Sequence, residues 1–514
     1  MRVLFIYPNL NAQIGFNYGL AFISSLLKQH GHITRLINLN ENLGQSLDLQ
    51  KIRVCMEEFQ PRLVGFSVVT NQYGYAKEIA RSIKEYSSVP LVCGGIHPTI
   101  APEEVLASGC FDFVCLAEGE YAMLELANRI ENGEDVRNIP NIWLRQDGQI
   151  IRNPLRPLVD LESLPPKDYE LFDFQHLIDA KDGWVGIMTS RGCPFRCSYC
   201  FNHRLVEQYQ QELGLPFNKL NYLRWHKIDT VIKELSLLLS NYKNIKVFIF
   251  DDDIFTLDKG YLRNFCQEYK KLTDKPFVVN AHVRLFDAEI ASWLKEAGCM
   301  MVKFGLESGS EKIRQDILNR HMSNDDIIQA FQIAHEAGLQ TSAFVMIGLP
   351  YETREDIFLT LKLLARIEPN RFRWSVFFPY PNTQAYEICQ KAGLINQEKM
   401  AGLTNFTEDS CLDFGPQHNL FIQKLARVFP WYVNTLLSPH PPPLYPDLKD
   451  MVETMDENAW TEAEKEVLSL EYNLSALLVR SDIRHYAIKY NPFMAVKLIG
   501  TQIFTDTPKR GSEQ

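Results

Sequence analysis

Residues 191–202 read RGCPFRCSYCFN, and they contain the most informative motif of the chain. Its cysteines, Cys193, Cys197 and Cys200, form a CxxxCxxC spacing directly after the strand-like run WVGIMTS. Three thiolates on one short loop can hold three irons of a four-iron, four-sulfur (4Fe-4S) cluster, because thiolate is the soft ligand that such clusters use. The fourth iron then lacks a protein ligand and can bind a small chelating molecule.

A structural zinc loop and a set of buried free thiols are the alternatives for these cysteines. Zinc normally takes four protein ligands in pairs, and no second CxxC or HxxxH lies within reach in the sequence. The spacing and the aromatic residue after the last cysteine, Phe201, therefore favour the cluster.

At this motif the sequence resembles the radical S-adenosylmethionine (SAM) enzymes. The resemblance implies that Cys193, Cys197 and Cys200 ligate the cluster, that Tyr199 contributes to SAM binding, and that the amino and carboxylate groups of SAM occupy the open iron. It also implies reductive cleavage of SAM to methionine and a 5′-deoxyadenosyl radical. The electron would come from an external donor such as a flavodoxin or a ferredoxin.

Length and composition limit the remaining possibilities. A chain of 514 residues with 46% hydrophobic residues is expected to form more than one folded domain. A formal charge of -10 argues against a nucleic-acid partner, because phosphate contacts require clustered Lys and Arg. The other eight of the 11 cysteines lie singly in apolar segments, which predicts a reducing cytoplasm. The start MRVLFIYPNL reads as a strand and not as a signal peptide, and no apolar run is long enough for a transmembrane segment.

Residues 1–145 alternate short apolar strands with amphipathic helices. This pattern predicts α/β units and a doubly wound, Rossmann-like parallel sheet, in which ligands bind at the carboxyl ends of the strands. The candidate binding residues at those ends are Pro8, Asn9, Ser67, Thr70, Gly94, Gly95, His97, Glu118, Gly119 and Glu120.

The G-G-x-H-x-T loop at residues 94–99 and the E-G-E at residues 118–120 resemble the cobalamin-binding domain that precedes many radical SAM enzymes. The resemblance implies that cobalamin is bound by the strand-end residues named above. Older cobalamin domains carry a cobalt-ligating His after the first strand, whereas the loop NLNAQIGFNYG has none, so that ligand is not expected here. His97 is not assigned to cobalt. A nucleotide, or no ligand at all, remains the alternative for this domain.

Residues 146–184 are proline-punctuated and predict a connector, after which residues 185–395 contain six strand–helix units. Six is the number in the partial (β/α)6 barrel of the radical SAM fold, whose active site lies at the carboxyl ends of the strands. By the resemblance, the SAM-binding residues at those ends are Asp251, Asp253, Arg284, Glu307, Ser308 and Gly348. Asp252 is not in this set, because neighbours on a strand face opposite ways. A magnesium site is the alternative for the three aspartates.

Residues 396–514 predict a mostly helical region that covers the barrel mouth and shapes the substrate pocket, and its last helix is predicted over SLEYNLSALLVRSDIRHYAIKYN, residues 469–491. The aromatic stretch NLFIQKLARVFPWYVNTLL would line an apolar substrate, contact a membrane surface, or pack as a lid on its own core. No motif in this region identifies the substrate.

These resemblances imply a cobalamin-dependent radical SAM enzyme. The leading hypothesis is C-methylation of an unactivated carbon in a small molecule, a lipid or a tetrapyrrole, with one SAM supplying the methyl group and a second supplying the radical. Alternatives are an oxidative cyclisation or ring rearrangement without methyl transfer, and a non-catalytic cobalamin carrier or sensor. A methylthiotransferase is disfavoured, because the N-terminal domain lacks three spaced cysteines for a second cluster.

Overall fold

The computed structural model describes residues 1–405, 407, 409–438 and 441–499. It divides into two compact units, one formed by residues 1–246 with 380–384, and the other by residues 247–379 with the described residues from 385 onward. The polar tail DTPKRGSEQ and two residues of the proline-rich break SPHPPPLYPD lie outside the described residues.

The first unit is built on a seven-stranded sheet. Its strands are β1 (Arg2–Pro8), β2 (Ile33–Leu39), β3 (Leu63–Ser67), β4 (Leu91–Gly94), β5 (Phe113–Cys115), β6 (Ile142–Gln146) and β7 (Gln149–Ile151). Their order is β2-β1-β3-β4-β5-β6-β7, and the first five are parallel. The strand order therefore reverses direction between β1 and β3, and doubly wound sheets bind ligands at such a point.

Helices connect the parallel strands. They are α1 (Tyr18–Gln29), α2 (Leu49–Phe59), α3 (Tyr73–Tyr86), α4 (Ile96–Ile100), α5 (Pro102–Ala107) and α6 (Glu120–Asn132). Strand β1, an interior strand of the sheet, is buried on both faces, since Val3, Leu4, Phe5 and Ile6 are each at most 1% exposed. A parallel strand covered by helices requires such a continuous apolar run.

The sheet extends further along the chain than the predicted boundary at residue 145. The antiparallel pair β6 and β7 continues it to Ile151, inside the segment predicted as a connector. The two-residue turn Asp147-Gly148 has positive φ at both positions, 50° and 78°. This is the backbone of a type I′ hairpin, for which Asp-Gly is a strong sequence signal.

The connector itself is anchored by aromatic packing within the first unit. Phe16 stacks on Tyr169 with ring centres 5.0 Å apart. The rings of Phe172 and Phe174 contact the Phe16 ring edge-on. The rest of this unit comprises α7 (Phe174–Ala180), β8 (Trp184–Ile187), β9 (Ser190–Arg191), α8 (Phe201–Leu213), β10 (Arg224–Trp225) and α9 (Ile228–Asn241).

The second unit contains five consecutive parallel strands. They are β11 (Val247–Phe250), β12 (Phe277–Ala281), β13 (Cys299–Glu307), β14 (Gln340–Ile347) and β15 (Arg371–Val376). The intervening helices are α10 (Lys259–Leu272), α11 (Ala288–Glu296), α12 (Asn324–Glu336) and α13 (Arg354–Ile367). With β8, these are the six strands that the sequence predicts.

The C-terminal region adds α14 (Gln384–Lys391), α15 (Gln397–Gly402), α16 (Pro416–Asn434), α17 (Tyr445–Thr454), α18 (Glu457–Arg480), β16 (His485–Ile488) and β17 (Met494–Leu498). The expectation of a single last helix running to residue 491 is wrong. That helix ends at Arg480, Asp482 takes a left-handed φ of 56°, and β16 and β17 join β15 as antiparallel strands. No described helix is both long enough and apolar enough to cross a membrane.

Candidate active site

The first unit contains a cavity of about 440 Å³ at the carboxyl ends of β1, β3, β4 and β5. It therefore lies at the point where the strand order reverses. Of the predicted cobalamin-binding residues, it is lined by Ser67, Gly94, Gly95, Glu118, Gly119 and Glu120. Residues outside the predicted cobalamin-binding set also line it, among them Tyr7, Asn17, Tyr18, Thr99, Arg191 and Phe201.

Four predicted residues lie beside the cavity and not in its wall. Pro8 is buried, and the Thr70 hydroxyl is buried without a partner in the described part of the chain. The Asn9 amide accepts a hydrogen bond from Gln72 at 2.9 Å and donates one to a neighbouring carbonyl. These side chains support the loops that shape the cavity.

His97, the fourth, is almost completely buried, and its ring centre lies 4.2 Å from that of Tyr73. Burial lowers its pKa to about 4, with the charge of Lys77 acting in the same direction. The neutral ring packs against an aromatic and does not line the cavity. The assignment of His97 as a cobalamin-binding residue stays a prediction.

The loop after β4 approaches β3 very closely. Gly95 has a φ of 106°, and a Cβ atom there would lie 2.7 Å from both the backbone N and O of Val68. Thr99 fixes the same loop, because its hydroxyl donates to the Gly95 carbonyl at 2.7 Å and accepts from the Ala117 amide at 2.9 Å. Glycine at position 95 is thus required by both the backbone conformation and the available space.

The cavity has the features that a cobalamin site requires. It is concave, its wall includes five glycines (Gly19, Gly65, Gly94, Gly95 and Gly119), and its rim carries hydroxyl and amide groups. Small residues allow a large ligand to approach the backbone, and a few polar groups orient it. Ser67 and Asn17 are positioned for this, since the Asn17 amide donates to the Ser67 hydroxyl at 2.9 Å. The residues present therefore fit this cofactor.

The cysteine loop is held by the segment before β10. Gly192 has a φ of 98°, and a Cβ atom there would lie 2.3 Å from the Tyr222 carbonyl oxygen. Below it, the Tyr222 hydroxyl donates to the Asn202 side chain at 2.7 Å, with both groups buried. Gly192 and Asn202, which flank the three cysteines in the sequence, are therefore both held against Tyr222.

Within the loop, Cys197 is buried and Cys193 and Cys200 are half-buried. The Cys200 amide donates to the Cys197 carbonyl at 3.1 Å, which closes the turn between them. Among the described residues no three His, Cys, Asp or Glu side chains converge on one metal ion. Cysteines of a four-iron cluster bind separate irons and need not converge, so the donor set fits the cluster.

A buried ion network joins the cavity wall to the cysteine loop. Arg191 donates to Glu118 at 2.9 Å and to Glu120 at 2.6 Å, and Arg224 donates two hydrogen bonds to Glu118, at 2.9 and 2.6 Å. Arg191 and Arg224 lie opposite each other on the antiparallel pair β9 and β10. Like charges directly across a strand pair repel, so the two carboxylates are needed to hold this pairing together.

The electrostatics of this network favour its charged form. Burial alone would raise the pKa of Glu118, but Arg224 and Arg191 lower it to about 2. Burial would likewise lower the pKa of Arg191, yet Glu120 and Glu118 raise it above its ordinary value. Sequence patterns gave no sign of this network, whose partners lie 71 to 106 residues apart.

In the second unit, the three aspartates directly follow β11. Asp251 and Asp253 are exposed, whereas Asp252 is 0% exposed and its carbonyl accepts from Asn280 at 2.8 Å. Successive side chains point in opposite directions here, so Asp252 is separated from Asp251 and Asp253, as the sequence analysis expects. Asp251 and Asp253 remain the predicted SAM-binding residues at this strand end.

The next strand ends carry the other predicted SAM residues. Arg284 is exposed and donates to the His321 carbonyl at 2.8 Å. Glu307 ends β13 with a φ of 67° and lies 3.9 Å from Arg320. Ser308 is completely buried, and its hydroxyl accepts from the Ser310 amide at 3.2 Å. The Ser308 side chain therefore shapes the turn after β13.

The loop after β14 is organised by one carboxyl group. Gly348 has a φ of 74°, and its amide donates to Glu352 at 2.8 Å, as the Leu349 amide does at 3.2 Å. Burial raises the pKa of Glu352 to about 8, although the two amides act in the opposite direction. Glu352 thus fixes the predicted SAM-binding turn at Gly348.

Comparison with known proteins identifies both parts of the chain. The radical SAM superfamily matches residues 187–364, and the B12-binding domain matches residues 12–127. An uncharacterised methyltransferase of Pyrococcus horikoshii is 30% identical over 403 residues, which cover 75% of this chain and 83% of that protein. This chain belongs to the cobalamin-dependent radical SAM enzymes. Its cofactors are accordingly a 4Fe-4S cluster, SAM and cobalamin.

Other relatives extend the comparison. The anaerobic magnesium-protoporphyrin IX monomethyl ester cyclase of Rubrivivax gelatinosus is 25% identical, over 84% of this chain and 77% of the cyclase. The radical SAM methyltransferase TsrM from Kitasatospora setae, solved with cobalamin and a [4Fe-4S] cluster, superimposes with a TM-score of 0.61 at 19% identity, over 77% of this chain and 79% of TsrM. The cobalamin-dependent radical SAM enzyme OxsB gives a TM-score of 0.64 at 15% identity, over 94% of this chain and 75% of OxsB. The two structures show that the fold is shared.

Proposed function

We propose that this enzyme methylates an unactivated carbon of a small molecule, a lipid or a tetrapyrrole. The proposal is supported by the Pyrococcus horikoshii relative, whose name describes a methyltransferase and of which the alignment covers 83%.

The observation that carries the proposal is the composition of the cavity wall. Arg191, Phe201 and Leu205, which flank or follow the cysteine loop, line the same cavity as the glycines of the cobalamin-binding domain. A methyl-group carrier and a source of radicals must reach the same substrate carbon, and a shared wall brings their binding sites together.

When bound, the cluster with SAM supplies a hydrogen-abstracting radical, and cobalamin supplies the methyl group. The protein's own residues bind and orient these groups. Cys193, Cys197 and Cys200 hold three irons, and the apolar part of the cavity wall, which includes Phe66, excludes water from the reacting atoms.

We further propose the roles of the residues in the second unit. Asp251 and Asp253 would accept hydrogen bonds from the SAM amino group, Glu307 would hold the ribose, and the Gly348 turn would lie against the adenine. Arg284 would pair with the SAM carboxylate. We retain residues 1–145, 185–395 and 396–514 as the cobalamin, radical and substrate regions.

A second candidate function is an oxidative cyclisation without methyl transfer. It is favoured by the cyclase of Rubrivivax gelatinosus, which aligns with 84% of this chain. Both candidates need the same cofactors, so they differ only in whether a methyl group enters the product.

Isotope labelling separates the two candidates. Reconstituted protein would be incubated anaerobically with methyl-deuterated SAM, a reductant and extract of the source cell, and products followed by mass spectrometry. Methylation predicts a deuterated product together with S-adenosylhomocysteine and 5′-deoxyadenosine. Formation of 5′-deoxyadenosine with no deuterium in any product would reject methylation and favour cyclisation. Absence of 5′-deoxyadenosine, with cobalamin bound, would favour a carrier or sensor.

We also propose an external electron donor such as a flavodoxin or a ferredoxin, because cleavage of SAM consumes one electron. No disulfide links any of the 11 cysteines in the described part of the chain, and the cluster is sensitive to oxidation. Both features support a reducing compartment such as the cytoplasm.

A further inference from the structure

Strand β15 carries two arginines on one face. Its other face is closed, because Phe372 packs on Tyr486 with ring centres 4.9 Å apart and Trp374 stacks on Phe429 at 5.2 Å. Side chains alternate along a strand, so Arg371 and Arg373 both point to the opposite face of the sheet. Both are half-buried.

The strand register shows what surrounds these arginines. Arg371 lies beside Ser342 of β14, which in turn lies beside Lys303 of β13. In the next row, Arg373 lies beside Phe344. This face of the sheet, defined by Lys303, Phe344, Arg371 and Arg373, is called here the basic face.

The basic face continues toward the predicted SAM residues. On β13, Lys303 and Gly305 lie on one face, and the strand register shifts between Gly305 and Glu307. The Glu307 carboxylate nevertheless lies where a side chain at Gly305 would point, so it shares the face with the arginines. Because of this shift, Glu307 lies beside Val345 and follows the row of Gly305, Phe344 and Arg373 by one residue of β14, roughly 3.3 Å along the strand. A molecule bound by Arg373 could therefore extend to the strand ends where SAM is proposed to bind.

Among the described residues, Arg373 contacts aromatic rings and donates no hydrogen bond to an acceptor. Its guanidinium carbon lies 5.0 Å from the ring centre of Phe493 and 5.9 Å from that of Phe344. Arg371 donates one hydrogen bond, from Nε to the Ser342 hydroxyl at 3.1 Å. Within the described chain, neither arginine has an Asp or Glu at ion-pair distance.

The two arginines thus carry partly buried positive charge with no carboxylate partner among the described residues. A guanidinium carries five N–H donors, and burying its charge without an anion costs free energy. Burial and the charge of Arg373 together lower the pKa of Arg371 to about 10, and burial lowers the pKa of Arg373. An anion bound between two neighbouring arginines would neutralise their charge and accept hydrogen bonds from their free N–H groups. The planar guanidinium matches the oxygens of a carboxylate or a phosphate.

We propose that Arg371 and Arg373 bind an anionic group, a carboxylate or a phosphate, of the molecule that this enzyme modifies. The proposal rests on the proposed function, since it names the chemical class of the substrate for the same site. Phe344 and Phe493 would hold the Arg373 fork in plane and contact the apolar part of that molecule.

The test measures binding and needs no turnover. Ligand-observed 19F NMR on the reconstituted protein would compare 4-fluorobenzoate and 4-fluorophenyl phosphate with the neutral 4-fluorobenzyl alcohol, first without SAM and then with SAM at saturating concentration. The two anions separate carboxylate from phosphate recognition. We expect the preferred anion to bind more tightly than the alcohol, and its affinity to fall about tenfold or more in Arg371→Gln and in Arg373→Gln.

Arg366→Gln is the matched control, because Arg366 is exposed on α13 of the same unit. Arg373→Lys should give an intermediate affinity, since lysine keeps the charge but lacks the fork. Each variant would first be shown to keep the thermal midpoint and cluster absorbance of the parent protein.

Three outcomes would overturn the proposal: equal affinity for anions and alcohol, anion binding that survives both substitutions, or anions displaced by SAM. The last would mean that the arginines hold SAM itself. Failure of the proposed function looks different, because the anions would bind as expected while no deuterium entered any product in the labelling assay.

Discussion

The guanidinium of Arg191 donates to the Glu120 carboxylate at 2.6 Å, and this bond joins the cysteine loop to the wall of the cobalamin cavity. Arg191 stands two residues before Cys193, while Glu120 begins α6 of the N-terminal sheet. Together with the Glu118–Arg224 pair, this bond fixes the cysteine loop relative to the loop after β5 that lines the cobalamin cavity.

Replacing Arg191 by Gln should therefore disturb both cofactors. Arg224 still pairs with Glu118, but the buried Glu120 carboxylate loses its arginine, and breaking a buried ion pair in this way costs roughly 3–5 kcal/mol. We expect lower retention of cobalamin and lower iron content after reconstitution, measured by absorbance and metal analysis, and a lower thermal midpoint. Arg145→Gln, at an exposed position of β6, should change none of these. Full loading of both cofactors in Arg191→Gln would show that the network is dispensable.

Much of this architecture follows from local sequence patterns. Alternating apolar and amphipathic segments predict the parallel strands, and glycines at strand ends mark the cavity, as Gly94, Gly95 and Gly119 confirm. The CxxxCxxC loop is likewise a local signal. Such features depend on neighbours in the chain, so they can be read before the fold is known.

Other features depend on pairings between distant residues and left no local signal. The Arg224 to Glu118 pair spans 106 residues, and neither residue type at its position distinguishes a buried network from a solvated surface. The ring of His97 packs against Tyr73 and does not line the cavity, and these two residues lie on different helices, 24 positions apart in the sequence. The hairpin of β16 and β17 is stabilised by the edge of β15, so it read as helix when taken alone.

Substituting Gly95 by Ala should weaken cobalamin binding. The new Cβ would lie 2.7 Å from the Val68 backbone, and a φ of 106° is strained for Ala, so the loop must move. We expect the dissociation constant of cobalamin, measured by spectrophotometric titration, to rise roughly tenfold or more. Gly133→Ala is the control, since Gly133 also has a positive φ, 72°, but open space around it. Unchanged affinity in Gly95→Ala would exclude this loop from the site.

Replacing Cys197 by Ala should abolish the cluster. Each cysteine holds a different iron, so two ligands cannot retain the four-iron form. Anaerobic reconstitution should give protein without the broad iron–sulfur absorbance, and no 5′-deoxyadenosine should form from SAM. Cys55→Ala, which removes a cysteine of α2, should retain both signals. Persistence of the absorbance in Cys197→Ala would require another ligand set.

Glu352 should make the thermal stability of the protein fall as the pH rises. Its pKa is raised from 4.5 to about 8, so the protonated, neutral carboxyl stabilises the fold. That contribution is complete below pH 4.5 and is lost as the pH rises through 8, with a slope of up to about 1.4 kcal/mol per pH unit for one proton.

Glu352→Gln keeps an oxygen that can accept from the Gly348 and Leu349 amides but does not titrate. Relative to this variant, the parent protein should lose thermal stability between pH 5 and pH 8. Glu355→Gln, at an exposed position nearby, should follow the parent across the same range. A constant difference in melting temperature between the parent and Glu352→Gln would show that Glu352 keeps one charge state throughout.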